Sequence, residues 1–414
     1  MFGNDARRLA IRLTAVASAA TATLWGLTGT AVAAPAAPPV GSIAGAGAEG
    51  AIPGSYIVVL KPGTQAADRV TATSQDLVRK YGGTVADNYL STVRGFHLHA
   101  TAGEAARLAA DPSVSFVEQD AKVDGKALAA PVAAITQSKK LSWGLDRLDQ
   151  RSLPLSKSYT YRSASAITAY VIDTGVRTSH KEFGGRATSG WDFVDGDATA
   201  NDCHGHGTHV AGTIGGAAYG VAKDVKLVGL RVLGCDGSGS FSDFIAAVDW
   251  VTSNAKLPAV ANMSLGGPRS KALDAAVKRS VDRGVTYAIA SGNEDRNGCK
   301  SSPAAAPDAI TVGAVDSADR RAAFSNWGNC LDIFAPGVDI LSAAKGSNTA
   351  TQKMSGTSMA APHVAGAAAL VLAAHPDWTP RQVRDDLVAN AGVDLVKGSI
   401  KGSPNRLLHT GHLL

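Results

Sequence analysis

Residues 226–293 read KLVGLRVLGCDGSGSFSDFIAAVDWVTSNAKLPAVANMSLGGPRSKALDAAVKRSVDRGVTYAIASGN, and this stretch decides the fold. Three apolar runs, KLVGLRVLG, AVANMSLGG and VTYAIASGN, alternate with two helical patterns, FIAAVDWVTSNA and SKALDAAVKRSVDRG. Outward from it, AITAYVIDTG (166–175) and AITVGAVD (309–316) add two more apolar runs. Strands that alternate with helices are typical of a mostly parallel sheet with helices on both faces. The sequence therefore predicts a three-layer α/β fold from about residue 141 onward.

Length, composition and charge narrow the class of protein. The 414 residues suffice for two folded units with flanking segments. A hydrophobic content of 45% with 18% charged residues indicates a globular protein. The net charge of +5 includes no dense lysine and arginine block, which argues against a nucleic-acid or anionic-membrane partner. We expect a monomer.

The first residues have the pattern of a secretory signal. Arg7, Arg8 and Arg12 precede an apolar run that ends in the A-x-A pattern of residues 31–33. A membrane anchor is the alternative, but small residues dilute the run, and no other run is long enough to span a bilayer. We predict a signal peptide over residues 1–34, a secreted protein, and no membrane attachment after cleavage.

A small domain is predicted between the signal and the α/β unit. Residues 55–123 alternate as βαββαβ, the order of a ferredoxin-like open-faced sandwich. Thr101 with Glu104 three residues later forms a capping box at the start of its second helix. Residues 124–140 have no periodicity and indicate an exposed, cleavable linker.

Two residues at predicted strand and helix ends suit acyl transfer. Asp173 ends an apolar strand, where a carboxylate meets the crevice of an open parallel sheet, although an aspartate after a strand is also a common turn residue. His206 lies in CHGHGTHVAGTIGG (203–216), whose three histidines raise zinc as an alternative. The flanking glycines break the helix that would bring those histidines to one face, so a base is favoured over a metal ligand. His204 is then a loop residue and His209 a helix-packing residue.

Ser358 lies at the start of an apolar helix that is predicted to run to Ala374. Free N–H groups and the dipole at a helix N-terminus favour the negative charge that develops during nucleophilic attack, while an ordinary N-cap serine is the alternative. We expect Pro362 to be tolerated in the first turn. Ala360 excludes the G-x-S-x-G turn of lipase-like hydrolases. Asn293, which follows Ser-Gly, suits an oxyanion donor, although it too could be a turn residue.

The order Asp, His, Ser is that of subtilisin and differs from the orders of chymotrypsin and the α/β-hydrolases. The blocks VIDTG, HGTHVAGT, MSLGG, ASGN and GTSMAAPHVAG resemble those of subtilisin-like serine proteases. The resemblance runs from about residue 135 to 414, and it is nearest to the proteinase K branch and its aqualysin group. It implies a subtilisin-like fold, a triad of Asp173, His206 and Ser358, Asn293 as oxyanion donor, and a secreted endopeptidase.

The family resemblance also implies how a peptide substrate docks. The substrate would add as a strand between two extended segments, with a primary pocket walled by a third. These three segments contain no charged residue, which predicts a loose preference for an apolar or aromatic residue before the cut bond. Their members are Gly237, Ser238 and Gly239; Ser264, Leu265 and Gly266; and Ala290, Ser291 and Gly292.

The four cysteines, an even number in an exported protein without C-x-x-C, predict disulfides rather than a metal site, and three pairings are possible. The resemblance implies Cys203 to Cys235 and Cys299 to Cys330. It also implies structural calcium, held at one site by Pro307, Ala309 and Asp332 and at a second by Asp146, Asp149, Gln150, Ser156 and Ser158. A solvated turn is the alternative for each aspartate. Residues 192–202 hold four further aspartates to which no role is assigned.

The resemblance divides the chain into the signal, a propeptide over residues 35–134 and a catalytic domain over residues 135–414. The propeptide would assist folding, inhibit the enzyme and be removed by self-cleavage near Ala133 or Ala134. A non-catalytic relative that binds peptides and a serine esterase are the rival interpretations. A non-catalytic relative would have lost a member of the triad, but all three residues are present. An esterase would carry the G-x-S-x-G turn, which this sequence lacks.

Overall fold

The computed structural model describes residues 39–63, 67–125 and 141–413. The predicted signal peptide, most of the linker and the expected cut near Ala134 lie outside the described residues. The described residues belong to one compact unit.

The predicted small domain is present as a sheet backed by two helices. Its elements are β1 (Ile43–Ala44), β2 (Ala51–Leu60), α1 (Ala67–Tyr81), β3 (Thr84–Tyr89), β4 (Gly95–His99), α2 (Ala102–Ala109) and β5 (Val114–Val123). The strand order is β1-β5-β2-β4-β3, and the Thr101–Glu104 capping box forms as predicted. The first long strand begins at Ala51 rather than at residue 55, where the predicted domain starts, because Ala51 pairs with Ala121 across the sheet. Strand β1 precedes the predicted domain and pairs with β5.

The large unit is a nine-stranded sheet between helical layers. Its remaining strands are β6 (Thr168–Asp173), β7 (Ala187–Asp192), β8 (Lys226–Arg231), β9 (Gly239–Ser240), β10 (Ala259–Met263), β11 (Val285–Ala290), β12 (Ile310–Val315), β13 (Ile333–Pro336), β14 (Ile340–Ala343), β15 (Thr351–Met354), β16 (Gly392–Val393) and β17 (Arg406–Leu407). The order is β16-β17-β13-β12-β11-β10-β6-β8-β7, with β9 outside this sheet and β14 with β15 in a separate hairpin. Every pair in the nine-stranded sheet is parallel except β16 with β17.

The helices of this unit are α3 (Trp143–Leu148), α4 (His206–Gly215), α5 (Phe241–Asn254), α6 (Lys271–Asp282), α7 (Thr357–Ala374) and α8 (Pro380–Ala389). Successive residues of β6 face opposite layers: Val171 packs with α4 and α7, and Ile172 packs with α5 and α6. The expectation that no run after the signal is long enough to span a bilayer was wrong: helix α7 is apolar and long enough to cross a membrane. It is 89% buried, as is typical of the core helix of a soluble unit. The predicted α/β fold is confirmed.

Candidate active site

Asp173 and His206 meet at the carboxyl end of the large sheet. Asp173 is the last residue of β6, and His206 is the first residue of α4. Nδ1 of His206 lies 2.7 Å from Oδ1 of Asp173, and both side chains are fully buried. A carboxylate in this position holds the imidazole tautomer whose Nε2 can accept a proton. The pair has the geometry of a base and its orienting acid.

Two glycines allow this close approach of α4 to the end of β6. A Cβ atom at Gly207 would lie 2.1 Å from the carbonyl oxygen of Gly175, and Gly175 has a φ of +92°. Only glycine, which has no Cβ atom, leaves room for this approach at position 207. Glycine also adopts the positive φ at position 175 without strain. The helix can therefore begin directly against the turn that follows Asp173.

The other two histidines of this segment have different surroundings. Nε2 of His209 lies 2.9 Å from the carbonyl oxygen of Ile340, and burial lowers the pKa of His209 to about 3. His204 is half-buried in the loop before α4, and burial lowers its pKa too. Over the described ranges, no group of three or more histidine, cysteine or acidic side chains is arranged to hold a metal ion.

Ser358 is the second residue of α7 and is 2% exposed. Its Oγ donates a hydrogen bond to the carbonyl oxygen of Ser264 at 3.1 Å. Nε2 of His206 is buried and has no hydrogen-bond partner among the residues that the structure describes. The Ser358 hydroxyl therefore rests on Ser264, while the His206 ring is already oriented by Asp173. Hydrogen bonds of this kind in active sites commonly tighten only when substrate is bound.

Pro362 lies in the second turn of α7, not in the first turn as the sequence suggested, because the helix begins at Thr357. A proline there leaves the carbonyl oxygen four residues earlier, that of Ser358, without its helical partner. Oγ of Ser264 donates to this oxygen at 2.9 Å, and Asn262 in turn donates to Ser264 at 2.9 Å. Ser264 and Ser358 are thus bonded reciprocally, which ties the start of α7 to the end of β10.

Asn293 lies three residues after β11, beside the start of α7. Its Oδ1 accepts hydrogen bonds from the backbone N–H of Thr357 at 2.8 Å and from the Thr357 hydroxyl at 2.9 Å. Because the amide is planar, these two bonds direct the donor Nδ2 away from Thr357. Asn293 and Ser358 line the same cleft.

Seven of the nine predicted docking residues line that cleft, and Ser238 and Gly239 do not. Ser238 turns its hydroxyl to the carboxylate of Asp236. Gly239 instead belongs to β9, which pairs antiparallel with β5 of the small domain, Val123 opposite Gly239 and Lys122 opposite Ser240. A Cβ atom at Gly267 would lie 2.9 Å from Cγ2 of Val123. The last strand of the small domain therefore occupies the predicted docking edge.

Carboxylates of the small domain cap two helices of the large unit. Glu118 accepts from the backbone N–H groups of Lys271 at 3.1 Å and Ala272 at 3.2 Å, where α6 begins. Asp120 accepts from the N–H of Ser242 at 3.2 Å and from its hydroxyl at 2.9 Å, where α5 begins. Negative charge at a helix N-terminus is stabilised by the free N–H groups and the dipole. Sequence reasoning missed these contacts, although two alternate acidic residues in an apolar strand were a signal.

A third contact runs in the opposite direction. Asp249 of α5 accepts hydrogen bonds from the backbone N–H groups of Leu90 at 3.1 Å, Ser91 at 2.8 Å and Thr92 at 2.7 Å, and also from the Thr92 hydroxyl at 2.7 Å. One buried carboxylate thus accepts hydrogen bonds from all three consecutive backbone N–H groups of this turn of the small domain.

The structure contains the disulfides Cys203–Cys235 and Cys299–Cys330, the pairing that the resemblance implies. The first joins the loop before α4 to the loop before β9.

The two candidate calcium sites show features that suit a cation. Burial raises the pKa of Asp332 to about 6, and the carboxylates of Asp385 and Asp308 act in the same direction. At the second site, Oδ1 of Asp149 is buried without a hydrogen-bond partner among the described residues, and burial raises its pKa. A bound cation would stabilise both carboxylates.

The other predicted ligands of the second site are hydrogen-bonded to one another. Asp146 accepts from Ser156 Oγ at 3.0 Å, Gln150 accepts from the Ser156 N–H at 2.7 Å, and the Ser156 and Ser158 hydroxyls lie 2.9 Å apart.

Comparisons with known proteins bear on both units. The model of the subtilase family matches residues 165–410, and the model of peptidase inhibitor I9 matches residues 55–125. The chain is 48% identical to an extracellular serine proteinase of Thermus sp. over 87% of this chain and 90% of that protein. It is 50% identical to alkaline serine exoprotease A of Vibrio alginolyticus over 77% of this chain and 59% of that protein. A crystal structure of a cold-adapted subtilisin-like serine proteinase superposes with a TM-score of 0.64 and 52% identity, covering 66% of this chain and 98% of that chain.

Proposed function

This chain belongs to the subtilase family and is an extracellular serine proteinase with an I9 propeptide domain, and from that premise we propose that it is an endopeptidase whose triad is Asp173, His206 and Ser358. The observation that carries the proposal is the buried 2.7 Å contact of Asp173 with His206 beside a cleft lined by Ser358.

The proposed cycle begins when the Ser358 hydroxyl turns from Ser264 to Nε2 of His206. His206 takes the hydroxyl proton as Oγ attacks the peptide carbonyl carbon, and Asp173 stabilises the imidazolium. His206 then gives this proton to the leaving amine nitrogen, and the acyl group stays on Ser358. A water molecule, deprotonated by His206, hydrolyses the acyl ester and restores the serine.

Asn293 and the backbone N–H of Ser358 are proposed to hold the oxyanion. The N–H of Ser358 is one of the first four of α7, which have no partner within the helix. The amide of Asn293 is oriented by Thr357 before substrate arrives, so no reorganisation is needed when charge develops.

The docking segments support a preference for an apolar residue before the cut bond. The wall formed by Ala290, Ser291 and Gly292 is uncharged, and Glu294 and Arg296 at the cleft lie 3.4 Å apart as an ion pair.

Serine-directed phosphonates test both the proposed nucleophile and the preference for an apolar residue. A phosphonate with a phenylalanine-like side chain should inactivate the mature enzyme faster than a lysine-like or glutamate-like one, and equal rates would contradict the preference.

The small domain is proposed to act as an intramolecular inhibitor. Strand β5 occupies the edge at β9 where a substrate strand would pair, and three carboxylate contacts hold the domain in place. Self-cleavage near Ala133 or Ala134 would leave this complex until the propeptide is degraded.

Replacing Asp249 by alanine is expected to weaken propeptide binding by roughly ten- to a hundredfold, because hydrogen bonds to a charged group contribute about 1.5–3 kcal/mol. The substitution lies outside the proposed triad and should leave its chemistry intact. Because the propeptide dissociates sooner, activity should rise sooner after processing of the whole precursor. Asp282→Ala, an exposed change on α6, is the matched control. An unchanged time course for Asp249→Ala would show that this contact does not retain the propeptide.

Calcium is proposed to stabilise the fold at the two sites described. At the first site it would bind Asp332 together with the carbonyl groups of Pro307 and Ala309. At the second site it would bind Asp146 and Asp149. In both it would neutralise the negative charge of the carboxylates. A site filled at a hundred times its dissociation constant adds about 2.7 kcal/mol, or roughly 5 to 10 °C in melting temperature.

A chelator should therefore lower the melting temperature of the mature enzyme, and Asp332→Asn should remove a large part of this sensitivity. Asp282→Asn should leave the sensitivity intact. Equal melting temperatures with and without chelator would reject a stabilising role for both sites.

A further inference from the structure

Asp202 belongs to the acidic loop for which sequence reasoning found no role. Its half-buried carboxylate accepts five hydrogen bonds. Oδ1 receives the Thr174 hydroxyl at 2.9 Å and the backbone N–H groups of His204 at 3.0 Å and Gly205 at 2.6 Å. Oδ2 receives the Thr208 N–H at 2.9 Å and the Thr208 hydroxyl at 2.5 Å.

These donors lie on the two elements that carry the acid and the base. Thr174 directly follows Asp173, and its hydroxyl accepts the backbone N–H of Gly207 at 2.9 Å. Thr208 is in the first turn of α4, two residues after His206. Asp202 and the Thr174 hydroxyl therefore form one continuous hydrogen-bonded bridge between the end of β6 and the start of α4.

We propose that Asp202 is a positioning residue that holds the imidazole of His206 against the carboxylate of Asp173 through the Thr174 hydroxyl and the first turn of α4. This inference rests on the proposed triad. The five hydrogen bonds of Asp202 reach neither the reacting atoms nor the docking segments, so its proposed action is on the placement of Asp173 and His206.

The physical reason lies in the charge of Asp202. Helix α4 has no side-chain cap at Gly205, so the carboxylate of Asp202 supplies the acceptor that its first N–H groups require. Without it, Thr208 and the loop lose their shared partner, and α4 can move relative to β6. A longer Asp173–His206 distance weakens the stabilisation of the imidazolium, which slows proton transfer.

The test compares Asp202→Ala, Asp202→Asn and the parent as mature enzymes. Each precursor is cleaved by added parent enzyme that carries an affinity tag, and the tagged enzyme is removed before the assay. Asp202→Ala should lower kcat by about ten- to a hundredfold, the cost of small misplacements of catalytic groups. KM should stay close to that of the parent, because the docking segments are untouched. The acid limb of the kcat/KM profile should move to lower pH, and Asp202→Asn, which keeps one acceptor oxygen, should recover part of kcat.

The matched control is Asp197→Ala, which removes an aspartate of the same loop whose Oδ1 accepts the Thr199 N–H. It should leave kcat, KM and the pH profile unchanged. The neighbours that also affect the base are intact in every variant: His204, with its ring 6.3 Å from that of His206, and Lys345, which bonds to the carbonyl of Cys203.

Thr174→Val provides an independent test, because it removes the bridging hydroxyl and keeps Asp202 with its contacts to α4. It should also lower kcat and shift the acid limb, and the double variant should lose less than the product of the two single effects. Unchanged kcat and pH profile in Asp202→Ala would overturn the inference, as would an effect on KM alone. Failure of the proposed triad would be recognised separately, since phosphonate would then not label Ser358 in the parent.

Discussion

Replacing Ser358 by alanine is expected to leave the secreted protein at precursor length and to lower peptide hydrolysis by about a millionfold, the loss typical when the nucleophile of such a triad is removed. The variant keeps Asp173, His206 and the oxyanion donors, but no acyl-enzyme can form. Because the same serine is proposed to cut the linker, processing and hydrolysis should fail together. Gel mobility and N-terminal sequencing of protein from a protease-deficient host measure the first, and peptide hydrolysis measures the second.

The matched control is Ser355→Ala, three residues earlier, whose hydroxyl accepts the backbone N–H of Asp339 at 2.8 Å. This variant should mature and retain its activity. Normal maturation of Ser358→Ala would refute self-cleavage. A mature protein that began before Gly125 would contradict a cut near Ala134.

Asn293→Ala should lower kcat by about a hundred- to a thousandfold with little change in KM, because the lost donor acts on the oxyanion rather than on the bound substrate. Alanine also removes the acceptor for Thr357, so a loss of activity could have a structural origin. Asn293→Asp separates the two effects, since it keeps Oδ1 for Thr357 but replaces the donor by a second carboxylate oxygen, whose negative charge also opposes the oxyanion.

Asn293→Asp should therefore be at least as inactive as Asn293→Ala while its melting temperature stays closer to that of the parent. Asn390→Ala, at the end of α8, is the control and should leave kcat unchanged. A kcat for Asn293→Asp within about threefold of the parent would exclude the asparagine as an oxyanion donor.

Strong local patterns were sufficient to predict the fold. The five apolar runs quoted from the sequence became β6, β8, β10, β11 and β12, because a strand buried on both faces has a continuous apolar pattern. The first residue of β2 and its pairing with β5 could not be predicted from such a local pattern. Ala51 lies in a small-residue stretch whose pairing with Ala121 depends on a strand seventy residues later.

The candidate site shows the same division between local and long-range information. Asp173, His206 and Ser358 could be proposed from local signals, because Asp173 ends an apolar strand and the other two lie at helix starts. The reciprocal bonds of Ser264 with Ser358 depend on where α7 begins relative to Pro362, and no spacing in the chain encodes that relation. The contacts of Glu118 and Asp249 between the two units are equally long-range.

The resting position of Ser358 on Ser264 also suits an inhibited precursor. Strand β5 occupies the docking edge, and the Ser358 hydroxyl bonds to Ser264 rather than to His206. In the proposed mechanism, activation would require removal of the propeptide and a rotation of the Ser358 hydroxyl toward His206.

The most direct test of the proposed triad is to locate the adduct of a serine-directed phosphonate on the mature enzyme by peptide mass spectrometry. One phosphonate per molecule on Ser358, with activity lost in proportion and labelling slowed sharply in His206→Ala, is the expected result. An adduct on another residue, or full peptidase activity after Ser358 is labelled, would contradict it.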